Sequence, residues 1–227
     1  MADGFRIFPL GDSALTVEFG NEISVDLNQR SIALSDHFES HPFPGFIESV
    51  PAYASATIFY DVAQVRRGFP ESASSFDTVR SLADAALKTI KTTLVAESRV
   101  VEIPVHFDST SAPDLAFVAK QSGLGENKVI ELFTGRTYRV FMLGFLPGFT
   151  YMAEVDKRIA TPRKDAPRAS VPNGSVGIAG KQTGIYSLES PGGWQIVGRT
   201  DVEVFTPHAK RPTLLQPGDQ VRFVPAK

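Results

Sequence analysis

Hydrophobic and polar positions in the first hundred residues alternate between two periods. Phe5 to Phe8 and Ala14 to Phe19 read as two short strands around a Gly11-Asp12 turn. Ser24 is placed to cap a helix whose apolar face carries Leu27, Leu34 and Phe38. Two prolines between His41 and Gly45 end that helix. Phe46 to Val50 and Ala56 to Tyr60 then read as strands. Phe76, Val79, Leu82, Ala83, Ala86, Leu87 and Ile90 recur at helical spacing. Val100 to Val105 reads as the next strand. The order ββαββαβ predicts an α+β sandwich of the ferredoxin-like kind, with helices on one face of a mostly antiparallel sheet.

The pattern changes after Pro104. Ala112 to Gly123 and Gly125 to Phe133 read as a pair of short helices, with Pro113 at the first helix start. Beyond Arg136 the helical period is gone. Short β-branched and aromatic runs are broken by Gly and Pro: Tyr138 to Leu143, Ser175 to Ala179, Gly184 to Leu188, Gln195 to Val197, Val202 to Phe205 and Gln220 to Val224. That pattern predicts an all-β barrel or sandwich. The expected domains are residues 1–98, α+β, and residues 99–227, a β-barrel domain led by the helix pair.

Composition narrows the chemistry. Hydrophobic residues make up 42% and charged residues 21%, as in an ordinary globular protein. A formal net charge of -2 gives no support to nucleic-acid binding. The helix pair from Asp114 to Phe133 has helix-turn-helix spacing, but its second helix would offer Glu126, Lys128 and Glu131 to DNA, which is electrostatically wrong. With no cysteine, disulfides, thiolate metal sites and cysteine nucleophiles are excluded. His37 and His41 are the only histidines close in sequence, and they have no nearby third ligand, so no metal is expected. Neither a leader nor a membrane span is read in the chain, and the expected location is the cytoplasm.

The stretch from Leu143 to Thr200 stands apart. It holds nine of the 18 glycines, and seven bases against four acids in a chain that is acidic overall. Pro162-Arg163 and Pro167-Arg168 repeat a pair in which a stiffened backbone presents a guanidinium, a fork suited to carboxylate or phosphate. Glycines at 174, 177 and 180 would let backbone N–H groups approach an anion. No Gly-Lys-Ser/Thr follows, so this is not a P-loop, and no Gly-x-Ser-x-Gly elbow supports a serine hydrolase. Gln182, Thr183 and Tyr186 offer an amide, a hydroxyl and a phenol close together. Trp194, the sole tryptophan, follows Pro191-Gly192-Gly193 and precedes Gln195. The Pro147-Gly148 turn would present Tyr151 at a rim.

Several long motifs resemble the allophanate hydrolase subunit 1 family, which includes the B-type subunits of 5-oxoprolinase and the Kip kinase inhibitor. They are Phe145-Leu-Pro-Gly-Phe-Thr-Tyr151, Thr161-Pro-Arg163 with Pro167-Arg168, Val171 to Tyr186, and Ser190-Pro-Gly-Gly-Trp-Gln-Ile-Val-Gly-Arg-Thr200. Gly11 to Gly20 and Pro217 to Pro225 match the family's first strand pair and closing strand. Phe133 departs from the pattern, standing where many relatives carry histidine, and Thr150-Tyr-Met152 replaces Pro-Tyr-Leu.

The resemblance implies a cyclophilin-like barrel and a larger partner, subunit 2, which forms a hetero-oligomer with this chain. It implies a lactam or amide substrate, and an ATP-dependent opening of 5-oxoproline to L-glutamate, with ATP and magnesium shared with the partner. Within it, Arg163 and Arg168 would bind the substrate carboxylate or a phosphate. Gln182, Thr183 and Tyr186 would orient the amide, Arg199 would be a second anion contact, and Trp194 a wall, with Gln195 and Tyr151 beside them. The other reading within the family is a regulator that binds and inhibits a sensor histidine kinase. A prolyl isomerase would rest on barrel analogy alone.

Overall fold

The computed structural model describes residues 4–90 and 98–226. The chain divides into two compact units, Met1–Ala96 and Glu97–Lys227.

In the first unit, β1 (Arg6–Pro9) and β2 (Ala14–Glu18) form a hairpin, helix α1 (Val25–Ser40) follows, and β3 (Phe46–Pro51) and β4 (Ser55–Tyr60) form a second hairpin. The sheet runs in the order β1-β2-β4-β3, antiparallel throughout. Strand β4 shows the period of two directly, with Ala56, Ile58 and Tyr60 buried and the residues between them half-buried. Helix α1 buries Leu34 and Phe38 together with Asn28 and Ser35. Asn28 donates to the Ala52 carbonyl and Ser35 to the Ser49 carbonyl, which satisfies the polar part of the stripe. Ser24 is the N-cap of α1, but its side chain makes no capping bond.

Two expectations for this unit change. Hairpin, helix, hairpin is not the βαββαβ order of a ferredoxin-like sandwich. The short Gly11 turn, at φ +64°, makes β1 and β2 direct neighbours and leaves no room for a crossover helix. Val100–Val105 is a strand, β5, but it belongs to the second unit. Two helices close the first unit instead: α2 (Val62–Gly68) and α3 (Ser75–Thr89). The seven-residue α2 is too short to show a period, although Asp61 caps it by accepting from the Gln64 N–H.

The second unit is a seven-stranded sheet in the order β12-β9-β10-β7-β6-β13-β5, curled until it is nearly closed. Its strands are β5 (Val100–Val105), β6 (Thr137–Leu143), β7 (Thr150–Ala153), β9 (Ser175–Ala179), β10 (Gln182–Ile185), β12 (Gln195–Arg199) and β13 (Gln220–Pro225). All neighbours are antiparallel except β5 and β13, which lie parallel. Closure comes from His106 and Arg199, whose backbones exchange hydrogen bonds of 2.7 and 3.0 Å between the β5 and β12 edges. Beside them, the Asp114 N–H donates to the Ile196 carbonyl at 2.9 Å.

Helices α4 (Leu115–Ser122) and α5 (Glu126–Thr134) pack into the barrel core through Leu115, Val118, Val129 and Phe133. Phe133 stacks on Phe223 at 5.0 Å and lies 5.4 Å from Tyr138, whose hydroxyl donates to the Phe133 carbonyl. This position is core. Phe133→Ala should therefore cost about 3–5 kcal/mol, read from the urea midpoint at constant m-value.

A ribbon of β8 (Arg168–Val171) and β11 (Ser190–Gly192) forms a separate two-stranded sheet. It encloses a second core of Phe149, Val171, Ala179, Tyr186, Trp194 and Ile196. Val202 to Phe205 forms no strand and makes only the isolated bridge Phe205–Thr213. Among the described residues no helix is long and apolar enough to cross a membrane.

Candidate functional site

The β8–β11 ribbon and the loop after β6 leave a cleft of about 280 Å³ above the second core. Its walls are Phe145, Tyr151, Arg163, Pro167, Tyr186, Pro191, Gly192, Gly193 and Trp194. Phe149, fully buried, supports the aromatic walls from below. Its ring lies 5.6 Å from Phe145, 4.8 Å from Tyr151, 5.1 Å from Tyr186 and 5.4 Å from Trp194, edge-to-face in every case. The Pro147-Gly148 turn makes this possible. Gly148 adopts φ +77°, and a Cβ there would strike the Phe205 side chain. Phe145 takes φ +67°, unusual for a bulky residue, and stands 62% exposed at the mouth.

The Arg163 guanidinium lies 5.7 Å from the Trp194 ring centroid, within cation–π range. Burial pushes the Tyr151 phenol up, with Arg163 opposing, and burial likewise pushes Tyr186 up. Both phenols stay protonated at neutral pH and can donate a hydrogen bond. The cleft thus offers one cation, two neutral phenols and apolar faces. That set suits a small, flat, singly anionic ligand.

The structure separates the remaining residues expected here. Gln195 and Thr183 lie opposite Ile178 in one cross-strand row, which faces the barrel core. Thr183 is fully buried and donates to the Gly177 carbonyl, and the Gln195 Nε2 donates to the Pro162 carbonyl. Period-two alternation puts both on the side away from Trp194. Gln182 opens β10, opposite Ala179 and Ala153, and is not part of the cleft lining. Arg199 lines a different cavity of about 360 Å³, with Asn173, Asp201 and Glu203, and its Nε donates to the Asn173 carbonyl.

Arg168 is held by Asp114, its Nη2 2.6 Å from Oδ1. Lys164 reaches the same oxygen at 3.1 Å. The sequence pairing of Arg163 with Arg168 therefore divides into one exposed cation on the cleft and one anchored cation behind it. Reasoning from sequence missed Asp114, Phe145 and Phe149. The Asp114 signal is an aspartate at a helix start, which ordinarily reads as a cap. Here the side chain makes no capping bond.

Asp114 loses solvation on burial, which raises its pKa, but hydrogen bonds from Arg168, Ile196 and Lys164 outweigh that and hold it below 3.8. A depressed carboxyl contributes stability that is complete above its unfolded pKa and is lost as pH falls through the folded value. The stability gap between wild type and Asp114→Asn should be flat from pH 5 to 8, within roughly 0.5 kcal/mol, and shrink only below about pH 4. Urea melts across that range check it.

Among the described residues no group of three or more His, Asp or Glu could hold a metal ion. At about 280 Å³ the cleft sits at the foot of the range for ligand pockets, roughly 300–1,000 Å³.

Residues 5–215 match the family described as carboxyltransferase domain, subdomain C and D. The chain is 45% identical over 221 residues to the B-type subunit of 5-oxoprolinase from Bacillus subtilis (strain 168), covering 97% of this chain and 92% of that one. The crystal structure of TTHA0988 superposes with a TM-score of 0.80 at 39% identity, covering 95% of this chain but only 40% of that chain. The urea amidolyase of K. lactis shares the fold, with a TM-score of 0.74 at 22% identity over 98% of this chain and 15% of that one.

Proposed function

The chain belongs to the carboxyltransferase domain family, subdomain C and D, and from that premise we propose that it is the substrate-holding subunit of a 5-oxoprolinase. The observation that carries this reading is Arg163 beside Trp194 and two neutral phenols in a cleft sized for a small ring. The 45% identity to a 5-oxoprolinase subunit supports it.

In this reading the Arg163 guanidinium forks onto the carboxylate of 5-oxoproline. The flat lactam lies against Trp194 and Tyr151. The Tyr186 hydroxyl, or that of Tyr151, donates to the lactam carbonyl oxygen. Together these interactions bind and orient the ring. Opening a lactam at neutral pH also needs its carbonyl carbon made more electrophilic. The cleft lining carries one cation, Arg163, against the several negative charges of a triphosphate, so this reading assigns activation by ATP to a larger partner, subunit 2. The longer chain of TTHA0988, of which this one covers 40%, is consistent with further parts beyond this chain.

The test is reconstitution with that partner and measurement of ATP-dependent glutamate release from 5-oxoproline. Release that needs both subunits is expected. Full activity of the partner alone would overturn the reading.

A further inference from the structure

Arg163 and Lys164 in the loop before β8 and Arg168 at the start of β8 stand close together in the chain, and of these three only Arg163 lines the cleft. Asp114 accounts for the difference. It occupies the N-cap position of α4 without capping it, and its carboxylate is 5% exposed. Oδ2 accepts the Ile196 N–H at 2.7 Å, while Oδ1 accepts Arg168 Nη2 at 2.6 Å and Lys164 Nζ at 3.1 Å. The Asp114 N–H adds a bond to the Ile196 carbonyl. One residue thus occupies the free edge of β12 at the barrel seam and grips the loop that carries Arg163.

The loop is tied on both sides of Arg163. Pro162 is held through its carbonyl by Gln195 Nε2, and the Lys164 N–H donates to the Gly193 carbonyl at 2.7 Å. Lys164 and Arg168 are also drawn back by charge. Arg163 is the cation left exposed over Trp194.

We propose that Asp114 is the positioning residue of the cleft: by neutralising part of Lys164 and Arg168 and holding both against the barrel edge, it selects Arg163 as the guanidinium presented to the ligand. This rests on the reading of Arg163 as the carboxylate contact. A buried carboxylate serving two cations is costly to desolvate, and an uncharged acceptor would satisfy the same Ile196 N–H at lower cost. Its presence here is explained by the loop it holds. It touches neither ligand nor reacting atoms, so its removal should disturb binding and leave the chemical step alone.

The experiment uses the full chain with its partner subunit and the intrinsic fluorescence of Trp194, the sole tryptophan. Asp114→Asn should raise the KM for 5-oxoproline roughly tenfold with kcat nearly unchanged. In the free chain without ligand, it should also let acrylamide quench Trp194 more strongly, because the loop no longer lies over the ring. Where that variant fails to fold, the triple variant D114N/K164M/R168M removes the whole charged set and leaves no charge stranded. It is expected to show the same two changes. A folded variant of either kind with wild-type KM and wild-type quenching overturns the proposal. If instead Arg163→Ala leaves the KM for 5-oxoproline unchanged, the reading of the cleft fails. The quenching comparison then still decides whether Asp114 holds the loop.

Discussion

Replacing Arg163 with alanine is expected to weaken 5-oxoproline binding by about 1.5–3 kcal/mol, roughly 10- to 150-fold. The range follows from what the proposed binding mode would lose, a charge-assisted contact to a carboxylate inside an apolar cleft. Arg163 is exposed in the free chain, so the substitution strands no buried partner. Stability should change little, within about 0.5 kcal/mol, as for other surface positions. That separates a binding defect from a folding defect. Arg163→Lys keeps the charge but not the planar fork over Trp194, and should recover only part of the loss. Titration of Trp194 emission with 5-oxoproline measures all three proteins. Unchanged affinity in Arg163→Ala would rule out the cleft as the binding site and with it the proposed ligand contact.

A large effect on stability is also expected at Gly174. This residue adopts φ +75°, and a Cβ there would run into the Thr200 carbonyl oxygen. Neither part can relax easily. The Gly174 N–H donates to the Tyr186 carbonyl, and the Thr200 N–H donates to the Gly174 carbonyl. Left-handed backbone alone costs a non-glycine residue about 1–2 kcal/mol, and the clash with backbone adds to it. Gly174→Ala should therefore lose about 3 kcal/mol or more, a fall of roughly 6–12 °C in Tm for a chain of this size. Gly180 is the control. It also adopts φ +60°, but a Cβ there meets nothing within 4 Å. Gly180→Ala should lose only the conformational part, about 1–2 kcal/mol. Equal losses at the two positions would show that the contact with Thr200 carries no weight.

These two glycines also mark where sequence spacing stops being informative. Three glycines spaced by three suggest a cradle for an anion. In the fold Gly177 lies inside β9, Gly174 sits in the turn before it, and Gly180 in the turn after it. Gly174 and Gly177 serve close packing against Thr200 and Trp194, and Gly180 a left-handed turn, needs that glycine spacing alone does not distinguish from a ligand's.

Local signals survive into the structure wherever a local cause is enough. The alternation of Ala56, Ile58 and Tyr60 predicts β4, and the apolar stripe of Val79, Ala83 and Ala86 predicts α3. Each rests on neighbours two to four residues away, which is all that periodicity records. Charge and proline likewise mark the loop that carries Arg163, and the turn at Pro147-Gly148 brings Tyr151 to the cleft. The ordered motifs, matched along almost the whole chain, identify the family.

Tertiary structure decided what depends on distant partners. Val100–Val105 is legible as a strand, but its assignment to the second unit depends on parallel pairing with Gln220–Pro225, at the far end of the chain. Arg163 and Arg168 are indistinguishable as Pro-Arg pairs until Asp114, some fifty residues earlier, claims one of them. Thr183 and Gln195 carry the right chemistry for a ligand site but the wrong parity on their strands. A strand sends successive side chains to opposite faces, and only the closed barrel fixes which face is inside. From sequence alone came the elements, the family and the segment that bears the site. Which side chains converge there depended on pairing across roughly fifty to eighty residues, because burial and charge neutralisation act through space and leave no period along the chain.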